Sequence, residues 1–293
     1  MQDKPDSAVL IVGCGDVGRR VAALRQSPRC SPVCIVRSGE SLSALREAGF
    51  DARRIDLDAE DYGSGLPSGI AEIFYFAPPP SAGKTDTRMT RFLQKLQRED
   101  PPRRMVYIST SAVYGDCGGA WISEERPPAP ATDRGWRRLD AERQLMDWCG
   151  AAGCEWTLLR VPGIYGPGKL PLARLRQGLP VLREADAPYT NRIHVDDLAA
   201  ICVAAMSSQH SNTTYNVSDG HPGNMTDYFF RVADAAGLPR PPEVSREEAQ
   251  LILSPGMLSF LNDSRRMDNT RMLDELEITL RYPDLDAGLA SCF

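Results

Sequence analysis

With 293 residues, 42% of them hydrophobic and 25% charged, the chain has the size and make-up of one large globular α/β domain, or of such a domain with a smaller lobe. A formal net charge of -5 without any basic cluster excludes the electrostatic footprint of nucleic-acid binding. No apolar run approaches the ~20 residues of a bilayer span.

The opening residues Met1-Gln2-Asp3-Lys4-Pro5-Asp6 are polar and lack the apolar core of a signal peptide, so the expected location is the cytoplasm. Eight cysteines, at 14, 30, 34, 117, 149, 154, 202 and 292, form no CxxC pair and no zinc-ligand spacing. They read as reduced, mostly buried thiols with no metal. Cys14 also leaves open a redox-sensitive thiol.

Ala8-Val9-Leu10-Ile11-Val12 reads as a buried strand, followed at once by Gly13, Gly15 and Gly18 and by a helix predicted over 17–24. Strand, glycine turn and helix in that order are the context of a dinucleotide fingerprint. Gly13 permits the tight turn, Gly15 lets the backbone approach a pyrophosphate, and Gly18 lets helix and strand pack closely. The helix start, at Asp16 and Val17, offers unpaired amides and a partial positive charge to the phosphates. A glycine-rich turn in some other parallel-sheet protein is the plainer reading.

A second strand over 33–36 ends at Arg37-Ser38. An acid here would bond the ribose hydroxyls of NAD, whereas the fork of Arg37 suits the 2′-phosphate of NADP. A solvated arginine is the other reading. Further along, a helix over 41–49 is capped by Ser41 and stopped by Gly49. A third strand over 50–55 precedes Asp56-Leu57-Asp58, and a fourth over 73–76 runs into Ala77-Pro78-Pro79-Pro80, where neither strand nor helix continues. An amphipathic helix is predicted over 85–99. A fifth strand, 105–108, feeds Ser109-Thr110-Ser111-Ala112-Val113-Tyr114-Gly115.

The segment 116–134 is predicted to be a long surface loop, 134–149 a helix, and 156–161 a sixth strand ended by Pro162. A loop over 163–168 follows. Helices are predicted over 195–206, 225–236 and 245–253, with a strand over 214–217, and the charged stretch 260–276 is placed in a small C-terminal lobe. Alternating strands and helices predict a doubly wound parallel α/β sheet of Rossmann type. The loops 13–18, 77–80, 109–115 and 162–168 follow strand ends and are expected to converge on one cleft.

Val12-Gly13-Cys14-Gly15-Asp16-Val17-Gly18, Asp56-Leu57, the Ser109–Gly115 run, Leu159-Arg160-Val161-Pro162-Gly163-Ile164-Tyr165-Gly166-Pro167-Gly168, Ile193-His194-Val195-Asp196-Asp197-Leu198-Ala199 and Tyr215-Asn216-Val217 together resemble an extended short-chain dehydrogenase/reductase of the NAD(P)-dependent epimerase/dehydratase group. The resemblance covers nearly the whole chain. It implies that Asp56 and Leu57 contact the adenine, that Ala77 and Pro78, with Pro79, line the cofactor trough together with Val161 and Pro162, and that Thr110 is the active-site Ser/Thr. Two departures stand out. Val12 replaces the first glycine of the group's GxxGxxG. The group's Tyr-x-x-x-Lys, counted back from Glu142, is Arg134 and Arg138 here. Arg138 retains a positive charge and donors for a ribose, but Arg134 stays protonated and cannot act as a base.

The candidates for chemistry are therefore Thr110, Ser111, Tyr114 and Arg138, each with a plainer alternative: turn packing for Tyr114, backbone bonds for Thr110 and Ser111, a solvated helix face for Arg134, Arg137 and Arg138. Tyr165 is a further tyrosine after a strand end. His194 with Ser109 or Ser111 and Asp196 or Asp197 reads as a structural helix start rather than a hydrolase triad.

The expected organisation is a dinucleotide-binding domain over 1–167, to which 193–218 return, with a substrate lobe from 168–192 and 219–293. The expected function is NADP(H)-dependent hydride transfer on a carbonyl or hydroxyl carbon of a small molecule, NAD being the less favoured cofactor. A catalytically silent NADP-binding sensor and a nucleotide-sugar epimerase or dehydratase are the alternatives. The partners expected are a small-molecule substrate and, as is common in the resembling group, a second copy in a homodimer, with no nucleic acid and no membrane.

Overall fold

The computed structural model describes residues 8–59 and 66–293; the polar opening residues 1–6 lie outside them. The apolar run Ala8–Val12 forms β1, and α1 (Asp16–Arg25) follows directly. After β2 (Val33–Val36) comes α2 (Gly39–Glu47), which starts two residues earlier than its sequence suggests. Ser38, not Ser41, is its cap, and the Ser38 hydroxyl accepts the Ser41 amide proton. β3 (Asp51–Arg54) and β4 (Ile70–Tyr75) precede α3 (Thr87–Lys95). Asp86 caps α3 by accepting from the amides of Arg88 and Met89, both at 3.0 Å.

β5 (Arg104–Thr110) runs two residues beyond its apolar core, because Ser109 is buried and bonds Glu142. The segment 116–134 is not merely a surface loop. It contains β6 (Trp121–Ile122), which pairs with a strand from the far end of the chain. α4 (Asp133–Ala152) and β7 (Glu155–Val161) follow. The supposed loop 163–168 begins as β8 (Gly163–Tyr165).

Next come α5 (Leu172–Arg176), β9 (Val181–Leu182), β10 (Tyr189–Thr190), β11 (Arg192–His194), α6 (Val195–Ser207) and β12 (Thr213–Asn216). The chain ends with β13 (Gly223–Asn224), α7 (Met225–Ala235), β14 (Glu243–Val244), α8 (Arg246–Ile252), α9 (Pro255–Leu261), β15 (Arg266–Met267), α10 (Thr270–Leu276) and α11 (Leu285–Ala290).

Seven strands form one parallel sheet in the order β12-β7-β5-β4-β1-β2-β3. The order reverses between β1 and β4, which makes the topological switch point where open α/β sheets bind ligands. Successive residues of a strand point to opposite faces. Phe74, Val106, Leu159 and Tyr215 therefore pack with α1 and α6, while Tyr75, Met105, Tyr107 and Leu158 pack with α3 and α4.

The C-terminal stretch divides between two cores. Met272 and Leu276 of α10 join the α1/α6 face of the main sheet, whereas Leu285 and Leu289 of α11 pack with Leu175, Val181 and the α7 side chains Phe229 and Val232. The pairing of β6 with β15 ties the two halves of the chain beside the carboxyl end of β5. Among the described residues no helix is long and apolar enough to cross a membrane.

Candidate functional site

The glycine loop after β1 lies against the backbone after β4. Gly13 adopts φ +84°, and a Cβ there would sit 2.4 Å from the Ala77 nitrogen, so only glycine allows this approach. The amides of Gly13 and Cys14 both donate to the Ile35 carbonyl, at 3.0 and 2.9 Å. A Cβ on Gly15 would meet nothing within 4 Å. The loop thus faces open space just where α1 begins, and Gly15, the residue before α1, supplies no side-chain cap. Exposed amides at a helix start form an anion seat. Gly18 would bring a Cβ within 3.3 Å of Ile11, the close helix–strand contact its spacing predicted.

Asp16, in the first turn, is neutralised: its carboxylate lies 3.0 Å from Lys169 and 3.4 Å from Arg20. Burial pushes the Asp16 carboxyl up, but the Lys169 hydrogen bond and the Lys169 and Arg20 charges together hold it below the ordinary value. Arg20 also bonds Asp196, the acid at the start of α6.

At the end of β2, the Arg37 guanidinium is exposed and lies 3.9 Å from Asp58. Leu57 is buried, Asp56 accepts the Asp58 amide proton at 3.0 Å, and Arg88 links Asp58 (2.7 Å) to the Pro78 carbonyl (2.9 Å). The loop after β3 and the proline loop are thereby one connected unit.

Beyond the proline loop opens a cleft of about 760 Å³. Pro78, Pro79, Thr110, Ser111 and Pro162 line it, so three of the four expected loops meet there, and the glycine loop abuts the proline loop through Gly13 and Ala77. Ala77 and Val161 are buried beneath this wall. Thr110 Oγ1 accepts from the Ala112 amide at 3.3 Å as the cap of a short 3₁₀ turn, and the side of that turn faces the cleft.

Tyr114 is not in the lining. Its ring is buried and its hydroxyl donates to Asn216 Oδ1 at 2.7 Å, so it is withdrawn as a substitute acid or base, and the packing reading holds. Tyr165 is likewise buried, with its hydroxyl on the Asp284 carbonyl at 3.0 Å. His194 caps α6, its Nδ1 accepting the Asp196 amide proton at 3.2 Å, and Asp197 accepts from the amides of Arg281 and Tyr282. These three groups are structural.

The arginines of α4 do not form a solvated face. Arg134, Arg137 and Arg138 all line the cleft; Arg137 is buried and donates to the Gly83 carbonyl, and Arg138 donates to the Tyr107 hydroxyl and the Ile108 carbonyl. Burial lowers the Arg134 pKa from its ordinary value. Three further arginines that no local pattern marked join them: Arg174 of α5, Arg192 of β11 and Arg265 beside β15. Arg265 donates to the Ser111 carbonyl at 2.9 Å and pairs with Asp263 at 2.8 Å. Asp263 is the one acid among the described lining residues, against six arginines.

A chain of formal charge -5 therefore concentrates positive charge in this cleft, which focuses field on anionic small molecules. Tyr189 of β10 also reaches the lining, its ring 4.7 Å from the Arg266 guanidinium. All eight cysteines are free, six of them buried, and among the described residues no group of His, Cys, Asp or Glu could hold a metal.

Residues 75–218 match the family model described as the NAD dependent epimerase/dehydratase family. Among curated proteins, the chain is 30% identical over 131 residues to protein y4nG of Sinorhizobium fredii, a match spanning 42% of this chain but only 33% of that protein. It is 27% identical over 224 residues to a 3-diazoavenalumate denitrifying reductase of a Streptomyces species, covering 72% of this chain and 73% of the reductase. Among solved structures, a conserved protein of unknown function from Silicibacter pomeroyi DSS superposes with a TM-score of 0.82 at 29% identity, over 97% of this chain and 96% of that one.

Proposed function

We propose that the chain, whose residues 75–218 match the model of the NAD dependent epimerase/dehydratase family, is a member of that family and an NADP(H)-dependent oxidoreductase that moves hydride between the nicotinamide and a carbonyl or hydroxyl carbon of a small anionic molecule. The observation that carries this reading is the arginine-lined cleft at the carboxyl ends of β5 and β7, adjoining the glycine loop. A reductase among the relatives is in keeping with it.

The residues present fit a dinucleotide. Gly15 leaves room for a diphosphate beside the uncapped amides of α1. Gly13, Gly18, Asp16 and Val17 would shape that seat, and Arg37, with Ser38 beside it, would meet a 2′-phosphate. Asp56 and Leu57 would flank the adenine, Ala77, Pro78 and Pro79 with Val161 and Pro162 would form the trough, and Arg138 would meet the ribose. When bound, the nicotinamide supplies or accepts the hydride.

The chain's own part in the chemistry is electrostatic. Thr110 and Ser111 would orient the substrate oxygen, and Arg134 and Arg138 would stabilise the negative charge that grows on it. A guanidinium does not give up its proton. The proton that completes the alcohol would therefore come from water reaching the cleft, not from the helix position where the family places a tyrosine.

The test is a fluorescence titration with NADPH and NADH, followed by absorbance of the reduced cofactor with a panel of keto acids and their neutral esters. NADPH binding and its oxidation by acids in preference to esters is the expected result. Binding of neither nucleotide ends the reading, and a preference for NADH ends the role of Arg37. The replacement of the tyrosine by Arg134 favours one second reading, a silent NADP sensor, which predicts binding with no turnover across the whole panel. Turnover of a nucleotide sugar without added cofactor would instead favour an epimerase.

A further inference from the structure

Two of the cleft arginines stand over aromatic rings of α7. Arg174 donates from Nη2 to the Pro180 carbonyl at 2.7 Å, and its guanidinium lies 4.7 Å over the Phe229 ring. Arg192 donates from Nη1 to the Asn191 carbonyl at 3.2 Å, with its guanidinium 4.0 Å over the Tyr228 ring. Among the described residues neither forms an ion pair, and the Nε of each is buried without a hydrogen-bond partner. Asp219, an acid close to Arg192, instead accepts the His221 amide proton at 2.9 Å. Burial lowers the pKa of both arginines. A cation drawn out of water with no hydrogen-bonded counter-charge and an unmade hydrogen bond costs stability, unless a ligand brings the missing partner.

The surroundings restrict that ligand. Met225, Phe229, Met257 and Leu261 form the wall beside the two arginines, and a narrow apolar cavity lined by Val181, Leu182 and Leu253 continues behind Met225 and Phe229. Each guanidinium has one edge committed to a backbone carbonyl and one face to an aromatic ring. What remains suits one planar monoanion. A diphosphate demands more donors and would be pressed against apolar side chains.

We infer that Arg174 and Arg192 form a carboxylate subsite on an apolar shelf, so that the substrate is a small acid whose carboxylate is joined to a flat apolar body. This builds on the oxidoreductase reading for what then happens to the acid; binding itself requires no cofactor.

The test titrates the full chain, by calorimetry, with acetate, hexanoate, benzoate, cinnamate, methyl cinnamate and UDP. Affinity rises from acetate to cinnamate and falls at least about 10-fold on esterification, the scale of one charge-assisted hydrogen bond. Arg174→Met and Arg192→Met each lower cinnamate affinity at least about 10-fold, Arg192→Lys recovers part of it, and all three variants bind NADPH as the parent does. Equal affinity for acid and ester, no affinity for any of the four acids, or UDP binding that depends on the two arginines overturns the inference. Cinnamate binding that needs both arginines in a chain that binds no NADPH would keep the subsite and sink the oxidoreductase.

Discussion

Arg138 Nη1 lies 3.2 Å from the Tyr107 hydroxyl and 2.9 Å from the Ile108 carbonyl, which fixes a guanidinium in the cleft where α4 crosses β5. Burial pushes the Tyr107 phenol up to about 12 despite the Arg138 charge, so it stays a neutral hydroxyl across the physiological range. Both hydrogen bonds of the cation go to neutral oxygens, and the nearby Asp86 carboxylate supports its charge without pairing with it. Replacing it with Met should lower NADPH affinity and turnover by about 10–100-fold, the value of a hydrogen bond to a charged group. Lys should recover part of the charge but not the fork. Fluorescence titration and steady-state turnover of the three proteins check this.

Gly13 and Gly15 should respond to alanine in opposite ways. At Gly13 the methyl group would be driven against the Ala77 backbone at positive φ. Thermal melting should show a loss of at least about 1–3 kcal/mol. At Gly15 the protein has room, so Gly15→Ala should melt like the parent yet bind NADPH at least about 10-fold more weakly, because the methyl group would occupy the diphosphate's place. Equal nucleotide affinity in parent and Gly15→Ala would remove the diphosphate from this corner.

Asp58 lies 3.9 Å from Arg37 across an exposed surface, where it would compete with the 2′-phosphate of the proposed NADP. Such pairs contribute about 0.2–1 kcal/mol. Asp58→Asn should therefore tighten NADPH about 2–5-fold and leave NADH alone. Arg37→Ala should weaken NADPH selectively. The NADPH/NADH affinity ratio of the three proteins is the readout.

Asp219 sets a pH dependence. Burial raises its carboxyl to about 6, against the smaller opposing effects of the His221 amide and the His221 and Arg192 charges. Because the folded value exceeds the unfolded one, the folded chain binds more protons between about pH 4 and pH 6. Its contribution is therefore fully favourable below about pH 4 and is lost as pH rises through about 6. Asp219→Asn should raise stability near pH 7 by about 1–3 kcal/mol and leave it unchanged near pH 4. Urea melts at the two pH values decide it; the same gain at both would assign the effect to packing.

The glycine corner was legible because its determinants are local: five apolar residues, then glycines at fixed spacing, then a helix. The arginine cleft was legible only in part. Arg134 and Arg138 share a helix with a countable register, but Arg174, Arg192 and Arg265 come from separate elements that only the tertiary fold brings together. Trp121 and Ile122 looked like loop because a two-residue strand has no periodicity, and its partner, Arg266–Met267, lies at the other end of the chain. Tyr114 sits four residues from Thr110, yet the 3₁₀ turn between them carries its ring into the core. Adjacency in sequence did not become adjacency in the cleft.

The ion pair behind that turn is a last test. Glu142, wholly buried in α4, accepts from Arg160 at 2.8 and 3.2 Å and from the Ser109 hydroxyl, while the Arg160 guanidinium lies 4.8 Å over the Tyr114 ring. Pair, hydroxyl and ring together hold the ends of β5 and β7, and with them Thr110 and Pro162, in register. Glu142→Leu alone strands a buried cation and should cost about 3–5 kcal/mol. Arg160→Met alone strands a buried carboxylate at a similar cost. The double replacement removes both charges and leaves an apolar contact, so it should cost less than either single one. Urea unfolding of the four proteins gives the coupling directly. If the two single losses simply add, the pair does not act as a unit, and the register of the two strand ends rests on their backbone ladder alone.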